Sequence, residues 1–579
     1  MVAGHACDQP SDHVKQVWQT LFTQLNKFIA PDIQRRLITG YRPGIEQLSL
    51  QSAEQAEWDV HLLLTHKLYQ TQGLDVERHP GVSRIISLGR EQDEPGLIPD
   101  PVKMRDRIGL DFADILIANW NGECHKLEQR TTLNLIAQAA RSRKPVIWID
   151  PQCKLHWLDL NRLDDPMLLL LKASDYATDT LMDCFVEIDG LEQTQLAYYI
   201  EHLLNPTLEA QDENSRLLLE LAQAEAQDYQ DTGRLHDLMS TLLHGDQKGV
   251  IQEIKNRFKR YRRPKLWNKT TEDIRPKADL NRFFAHHDRL ADKAGGLHRS
   301  NIWLLYGFAA LAVLVAVSAE VWQMHWLAYV ELILITSIMY RVWWAKKVKL
   351  HQKWIRHRYL AEQMRYCIMG YPLMAIPQPF REPVWQVNPK GQLQLNSPEF
   401  WLLQRHLIIA GLPCQNGRVY TPPYHNHVLA KHVQASVKSQ MRYHQAHHHQ
   451  KQLGHHRLHF LAELQFGLTF IAVVLHIYIH DNWLLLFTAA LPAFAAAMHG
   501  ILTKLEMERV SGQSASLYLQ LEQQNQALER FIAMTPPGDD SWHHWISLRY
   551  LADTSQQVMS DNITQWQHLI QKQQTEIPA

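Results

Sequence analysis

Four long apolar windows constrain what this chain can fold into more than any other feature. They cover residues 302–319, 326–344, 460–479 and 483–502. An α-helix needs about 20 apolar residues to cross the hydrocarbon of a bilayer, and each window approaches that length. The alternative is four buried helices of a large soluble core. We favour membrane spans because the windows come in two pairs, each joined by a very short link.

Charge around the windows predicts how the chain is oriented. The links 320–325 and 480–482 contain no Lys or Arg, whereas Arg341–Arg358 contains seven basic residues and no acid. Basic residues concentrate on the cytoplasmic side of membrane proteins. We therefore expect both links to face outward and the N-terminus, the middle segment and the C-terminus to be cytoplasmic, in a multi-pass protein whose partner is membrane lipid.

Composition excludes several classes of protein. The chain has 59 Lys and Arg against 60 Asp and Glu, and the resulting net charge of −1 argues against a nucleic-acid binder. Six scattered Cys without a C-x-x-C pair predict neither a disulfide scaffold nor a Cys-type zinc site. The His-rich stretch 444–459 lacks H-E-x-x-H, so a solvated helix face is favoured over a metal site.

The N-terminal region has the pattern of an α/β domain. Short apolar runs that end in Gly, Asn or Asp indicate strands at 36–39, 84–88, 115–120, 145–149 and 184–188, with a helix at 131–142. This alternation favours βαβ units and a parallel sheet, whose ligands bind beyond the carboxyl ends of the strands. Thr131 and Thr132 would open a helix suited to phosphate, although Thr131 is equally well explained as an N-cap. The predicted ligand-binding residues are Gly40, Arg42, Asn119, Gly122, Thr131 and Thr132.

The segment Ala113–Asp150 (ADILIANWNGECHKLEQRTTLNLIAQAARSRKPVIWID) resembles the second half of a LOG/SLOG-type Rossmann domain, and RRLITGYRPG is similar to its first strand and glycine loop. That superfamily includes lysine-decarboxylase-like enzymes that handle nucleotides and ligand-sensing modules of bacterial conflict systems. The chain departs from the pattern at Arg130-Thr131-Thr132, where two glycines are expected before the Thr. The catalytic Glu of the enzymatic members is not identifiable either. The resemblance therefore implies a nucleotide-derived ligand with no other cofactor, and leans away from catalysis.

Further stretches resemble uncharacterised bacterial four-span membrane proteins that carry such a nucleotide-sensing domain. They are FFAHHDRLADKAGGLHRSNIW, KWIRHRYLAEQMRYCIMG, SVKSQMRYHQAHHHQ and the C-terminal SQQVMSDNITQWQHLIQKQQTEIPA. The resemblance implies a sensor or effector of the bacterial inner membrane, in which ligand binding controls a pore or membrane disruption in anti-phage defence. Four spans cannot enclose a wide pore, so a homo-oligomer is expected. The alternatives are a membrane-tethered nucleotide or nucleoside hydrolase or transferase, and a structural membrane protein with a vestigial domain.

A basic segment at 255–265 holds seven basic residues and no acid. Three interpretations are open: contact with the anionic membrane surface, binding of a nucleotide or nucleic acid, and a merely solvated face. The position of the segment before the first span favours contact with the membrane surface. The predicted membrane-surface residues are Lys255, Arg257, Lys259, Arg260, Arg262 and Arg263.

The predicted fold is an α/β Rossmann-like N-terminal domain followed by a mainly α-helical region with four transmembrane helices and long cytoplasmic helices. The predicted units are the α/β domain (1–250), the basic linker and helical lead-in (251–300), the first transmembrane hairpin (301–345), the cytoplasmic helical segment (346–458), the second hairpin (459–503) and the C-terminal cytoplasmic helices (504–579).

Overall fold

A computed structural model of the protein describes residues 1–4, 11–29, 34–77, 79–89, 101–121, 132–163, 181–189, 191, 280–387, 393–414, 419–479 and 481–571. The N-terminal part alternates strands and helices, as the sequence predicts. Its strands are β1 (Val2–Gly4), β2 (Arg36–Thr39), β3 (Asp59–Thr65), β4 (Val82–Leu88), β5 (Leu116–Asn119), β6 (Val146–Ile149), β7 (Leu155–Leu158) and β8 (Phe185–Ile188). Its helices are α1 (Asp12–Phe28), α2 (Ile45–Gln55), α3 (His66–Glu77), α4 (Pro101–Asp111) and α5 (Thr132–Arg141).

The strands form two sheets. In the first, of order β1-β5-β6-β7-β8, the strands β1, β5 and β6 are parallel. In the second, β2, β3 and β4 are parallel neighbours. Helices cover these strands on both faces, so their sequences are nearly continuous apolar runs rather than alternating ones. Cα atoms of β1 and β2 approach within 8 Å, which brings the two sheets side by side.

The predicted parallel pairing is confirmed in both sheets, but it does not extend to one edge of the five-stranded sheet. β7 runs antiparallel to β6, and β8 runs antiparallel to β7. The reason is local: β6 ends at Ile149 and β7 begins at Leu155. The tight turn between them, closed by the hydrogen bond from Asp150 N to Lys154 O, is too short for the crossover that parallel strands require.

The C-terminal part is mainly helical, as predicted. Its helices are α6 (Leu280–Val321), α7 (Leu327–Lys347), α8 (Leu350–Gly370), α9 (Pro398–Ala410), α10 (Asn426–Tyr478), α11 (Trp483–Leu505), α12 (Met507–Met534) and α13 (Trp542–Gln571). Its strands are β9 (Trp385–Val387), β10 (Leu393–Leu395) and β11 (Val419–Tyr420). The segment 346–458 therefore contains short strands as well as the predicted helices.

Four helices are long and apolar enough to cross a membrane, and they contain the four predicted windows. Only 28%, 11%, 11% and 22% of the residues in their most apolar stretches are buried. Helices of a soluble core would be largely buried, so this exposure argues against the soluble alternative and suggests a membrane protein. The main contacts join α7 to α6, α6 to α11, and α11 to α10, so the four helices form an open row.

The helical part is built as two similar units. In each, a long helix enters the row, a second apolar helix returns, and a polar helix follows after one residue in the left-handed conformation. That residue is Lys349 (φ 51°) between α7 and α8, and Glu506 (φ 45°) between α11 and α12. The polar helices α8 and α12 pack with α13 and with the polar halves of α6 and α10 to form a helical bundle beside the apolar row.

The α/β part and the bundle share one hydrophobic core. A single cluster of buried side chains includes Leu63 and Trp148 from the sheets and Leu360 and Trp545 from the bundle. β11, from the helical half, pairs in parallel with β4 and extends the second sheet to four strands. The chain then passes from Tyr420 through a short 3₁₀ turn directly into α10, which contains the third apolar window.

Candidate functional site

The carboxyl ends of the strands are where the sequence predicts a ligand. The structure places the predicted residues on two different sheets. Gly40 and Arg42 follow β2 in the four-stranded sheet, whereas Asn119 ends β5 in the five-stranded sheet. Thr132 is the first residue of α5. Gly122 and Thr131 lie outside the described residues, as do all six predicted membrane-surface residues of the 255–265 segment.

A buried carboxylate occupies the loop after β2. Glu46 Oε2 accepts a hydrogen bond from the backbone N–H of Arg42 at 2.8 Å, and Glu46 Oε1 lies 3.2 Å from the guanidinium of Arg105. Arg105 also pairs with Asp106 at 2.7 Å. A Cβ on Gly40 would collide with the Glu46 carboxylate and the Arg105 guanidinium, which explains why glycine is needed there. Within this loop the Glu46 carboxylate therefore accepts the hydrogen bond from the Arg42 amide that a bound phosphate would otherwise accept.

The ends of β5 and β6 form a second polar site, built around Asp150. Its side chain is 8% exposed. Oδ1 accepts a hydrogen bond from Lys154 N at 2.8 Å, and Oδ2 lies 2.9 Å from His156 Nε2. The His156 ring stacks on Trp148 with centroids 4.5 Å apart, and Trp148 Nε1 donates to Trp120 O at 2.9 Å. Asp150 thus lies one residue beyond β6 and pairs with His156 on the neighbouring strand β7.

Sequence reasoning missed both of these arrangements. The sequence marks Asp150 only as the residue that follows an apolar strand. Its partner His156 lies on β7, and the sequence pattern does not reveal that strand. Glu46 and Arg105 come from α2 and α4, which only the tertiary fold brings together. The usable signal was an acidic residue directly after the apolar run PVIWI, at the edge where open α/β sheets bind ligands.

The opposite ends of the strands hold the end of helix α9. Arg36, the first residue of β2, donates from Nη1 to Ile408 O at 2.8 Å and to Ile409 O at 3.2 Å, and its Nε lies 3.0 Å from Asp59 Oδ2. Arg84 donates to Ala410 O at 2.9 Å. Carbonyls at a helix C-terminus lack helical partners and carry partial negative charge, so guanidinium groups there are favourable.

A histidine completes this contact. His61 is almost fully buried, and its Nδ1 accepts a hydrogen bond from Leu412 N at 3.4 Å. Burial lowers the pKa of His61 to about 4, so the ring is neutral at pH 7 and Nδ1 can accept. Two ion pairs add to the contact further along the same face: Arg405 with Asp114 at 2.9 Å, and Arg381 with Asp111 at 3.2 Å. We call the contact of Arg36, Asp59, His61 and Arg84 with residues 408–412 the α9 dock.

The charged residues inside the apolar windows lie near window ends. Glu463 is 64% exposed in its side chain and lies 3.4 Å from His459, one turn earlier on α10. Among the described residues, no group of three or more His, Cys, Asp or Glu is arranged to hold a metal ion. The neighbouring imidazoles have other contacts: His447 Nδ1 lies 3.0 Å from Ser514 Oγ, and His448 Nδ1 lies 2.8 Å from Ser511 Oγ.

Comparison of the chain with family models, with curated proteins and with solved structures finds no match.

Proposed function

We propose that the protein is a membrane signalling protein of the bacterial inner membrane, in which a nucleotide-derived ligand bound at the α/β domain controls the four-span unit. The observation that carries the proposal is the double connection between sheet and spans. β11 joins the sheet and continues into α10, and the α9 dock fixes a helix that packs against α6 and α8. A shift of the strands would therefore move helices that continue into the spans.

The ends of β5 and β6 are the better place for the ligand. Glu46 would repel a phosphate at the loop after β2, because the carboxylate already occupies the Arg42 amide. Asn119 and Asp150 offer a different chemistry, since an acidic or amide side chain beyond a strand can accept hydrogen bonds from ribose hydroxyls. The first turn of α5, which begins at Thr132, would offer helix N-terminal amides to a phosphate.

Calorimetric titration of the full chain in lipid nanodiscs tests ligand binding. The full chain is needed because a fragment ending near residue 250 would lack β11. ATP, NAD and cyclic dinucleotides are the probes. We expect one of them to bind and Asn119→Ala to abolish that binding, while Thr71→Ala, an exposed substitution on α3, leaves it intact. Absence of binding by all of these probes would overturn the nucleotide proposal.

The response of the spans would require more than one copy of the chain. The open row leaves large apolar side chains exposed on α7 and α10, such as Tyr329 at 72% and Phe470 at 71%. These faces would contact lipid or a second copy, and a pore would form only between copies. Release of a trapped dye from liposomes on addition of the bound nucleotide is the expected result, and tight liposomes in its presence would contradict control of a pore or of membrane disruption.

In this proposal the bundle lies on the cytoplasmic side, and the basic ends of the spans support that orientation. Arg299, Lys346, Lys451 and Lys504 all lie at the bundle end of the row, and the links at 322–326 and 481–482 lie at the other end. The positive-inside rule then puts both termini in the cytoplasm.

One observation favours the enzymatic alternative, a membrane-tethered nucleotide or nucleoside hydrolase or transferase. An imidazole held by a buried carboxylate, as His156 is by Asp150, is the arrangement of a general base. Turnover of a nucleotide by the wild type that is lost in His156→Gln, with binding retained, would support this alternative over sensing alone.

A further inference from the structure

A cavity of about 450 Å³ lies inside the helical bundle, directly beside the ends of three apolar helices. Arg299 and Ile302 line it from the start of the first window, and Lys504 and Leu505 from the end of the fourth. Lys451, nine residues before the third window, also faces it. Its size falls in the range of small-molecule binding sites.

Two charged residues of the lining, Arg358 and Glu362, form ion pairs within the bundle. Arg358 lies 2.6 Å from Glu362 and 3.0 Å from Asp288. Glu362 is shared with Arg365 at 3.2 Å. These four residues form a closed network of two guanidinium groups and two carboxylates, which leaves no charge of the network to neutralise the rest of the cavity.

The remaining charges of the lining are mainly positive. They are Arg299, Lys451 and Lys504 against Asp292 and Glu506. Glu506 pairs at 3.2 Å with Arg509, which is not part of the lining. Burial raises the pKa of Asp292, so that this carboxyl is a weaker acid than an ordinary aspartate. Counted over the whole lining, four basic residues stand against three acidic ones, an excess of one positive charge.

Among the described residues, Lys451 is a cation of the lining that has no acidic partner. In the part of the chain that the structure describes, no carboxylate lies within 4 Å of its ammonium group. Burial, together with the like charge of Arg299, lowers the pKa of Lys451 to about 8, so it is still mostly protonated at pH 7. A half-buried ammonium without a counter-ion is stabilised when an anion joins it.

Neutral polar and aromatic groups complete the lining. Burial lowers the pKa of His444 to about 4, so the ring is uncharged, and its buried Nδ1 has no hydrogen-bond partner among the described residues. Trp354 and Trp566 meet edge to face at 5.4 Å, and the Arg299 guanidinium lies 5.5 Å from the Trp354 ring centroid. The lining thus combines cations and hydrogen-bonding groups with an apolar wall beside the spans.

We propose that this cavity binds a phosphate-bearing anion, with Lys451 and Arg299 as the groups that hold the phosphate. The chemistry is shared by two sources, the headgroup of an anionic lipid and a free organic phosphate. The site is separate from the edge of the α/β domain, and it does not depend on the nucleotide proposed there.

Two binding measurements on the full chain distinguish the sources. In one, detergent-solubilised protein is titrated with short-chain phosphatidylglycerol or phosphatidylcholine and retained lipid is measured by native mass spectrometry. In the other, protein in phosphatidylcholine nanodiscs is titrated with glycerol 3-phosphate by calorimetry. Selective retention of phosphatidylglycerol identifies the lipid source, and binding of glycerol 3-phosphate identifies the free one. Binding of neither overturns the proposal.

A matched pair of substitutions on α10 assigns the binding to this cavity. Lys451→Gln should weaken binding about tenfold or more, the factor that corresponds to one lost charge-assisted hydrogen bond. Lys438→Gln, which removes a half-exposed lysine paired with Glu529 at 3.1 Å, should leave binding unchanged. Equal affinities of the two variants would overturn the proposal.

A folding control gives a second readout. Without ligand, Lys451→Gln should unfold at the same or a higher temperature than the wild type, because it removes a half-buried charge that has no counter-ion. A clear fall in the unfolding temperature of the ligand-free variant would show that Lys451 stabilises the bundle itself, which also contradicts the proposal.

Discussion

The α9 dock is the contact whose loss should be easiest to measure. Arg36→Ala removes a guanidinium that donates to two carbonyls at the end of α9 and pairs with Asp59. The substitution leaves Ile408 O and Ile409 O without these donors and Asp59 without its arginine. The neutral partners His61, 3.3 Å from Asp59, and Gln34, at 3.5 Å, remain beside that carboxylate.

The size of the effect can be worked out from burial. The Arg36 and Asp59 side chains are 11% and 23% exposed. Removing one partner of a fully buried pair costs about 3–5 kcal/mol. Because solvent reaches part of this pair, we take the lower end, about 3 kcal/mol. Each 1.4 kcal/mol is a factor of ten, so the dock should open roughly 100-fold more often.

Hydrogen exchange on the full chain in detergent measures that opening. Peptides covering 407–414 include Gly411 N, bonded to Leu407 O, and Leu412 N, bonded to His61. Their exchange should accelerate roughly 100-fold in Arg36→Ala. The control Arg162→Ala removes a 54% exposed side chain paired with Asp159 and should change exchange by less than about fivefold. Unchanged exchange at 407–414 in Arg36→Ala would refute our account of the dock.

Three further outcomes are expected. Trp545→Ala should lower the free energy of unfolding by about 3–5 kcal/mol in denaturant titrations, because the ring is fully buried, whereas Tyr550→Ala, 67% exposed, should change it by about 0.5 kcal/mol or less. His61, whose pKa burial lowers to about 4, is protonated in the unfolded chain below about pH 6.5 but not in the fold. Stability should therefore fall by up to about 3 kcal/mol from pH 6.5 to pH 4, and His61→Gln should flatten that part of the pH profile of the unfolding temperature. Cysteines introduced at Gln323 and Asp561 should be labelled by an impermeant maleimide from opposite sides of the membrane, and labelling from the same side would contradict the topology.

The apolar helices and several strands could be predicted because their signal is local. The window 302–319 lies within α6 and the run PVIWI forms β6, since each is long or apolar enough to determine its own conformation. β11 has only two residues and exists because β4 offers a free edge more than 300 positions away. No local pattern reveals such a strand.

The candidate site shows the same limit. The edge residue Asn119 was predictable from the position of a strand end. The Glu46 carboxylate at the Arg42 amide was not, because it depends on α2 turning back over the loop and on Arg105 arriving from α4 to balance the charge. The α9 dock likewise depends on pairing between residues more than 320 positions apart. Electrostatic contacts of this kind are set by tertiary structure and leave no spacing in the sequence.

The geometry of the sheet also bounds how strong any coupling to the spans can be. A seven-residue strand such as β3 spans roughly 20 Å from the α9 dock to the carboxyl edge of its sheet, and the proposed ligand lies on the neighbouring sheet, which approaches this one through β1 and β2. A ligand shifts an equilibrium only by its difference in affinity for the two states. If the ligand acts by loosening the dock, the coupling free energy cannot exceed what the dock contributes, about 3 kcal/mol for the ion pair of Arg36 and about 1.5–3 kcal/mol for a charged hydrogen bond of Arg84. Coupling of 1–3 kcal/mol changes affinity about 5- to 150-fold, so a single guanidinium of the dock is large enough to account for a switch. Arg36→Ala should then leave the spans in one state and remove most of their response, even though Arg36 lies on the sheet that does not carry the proposed ligand.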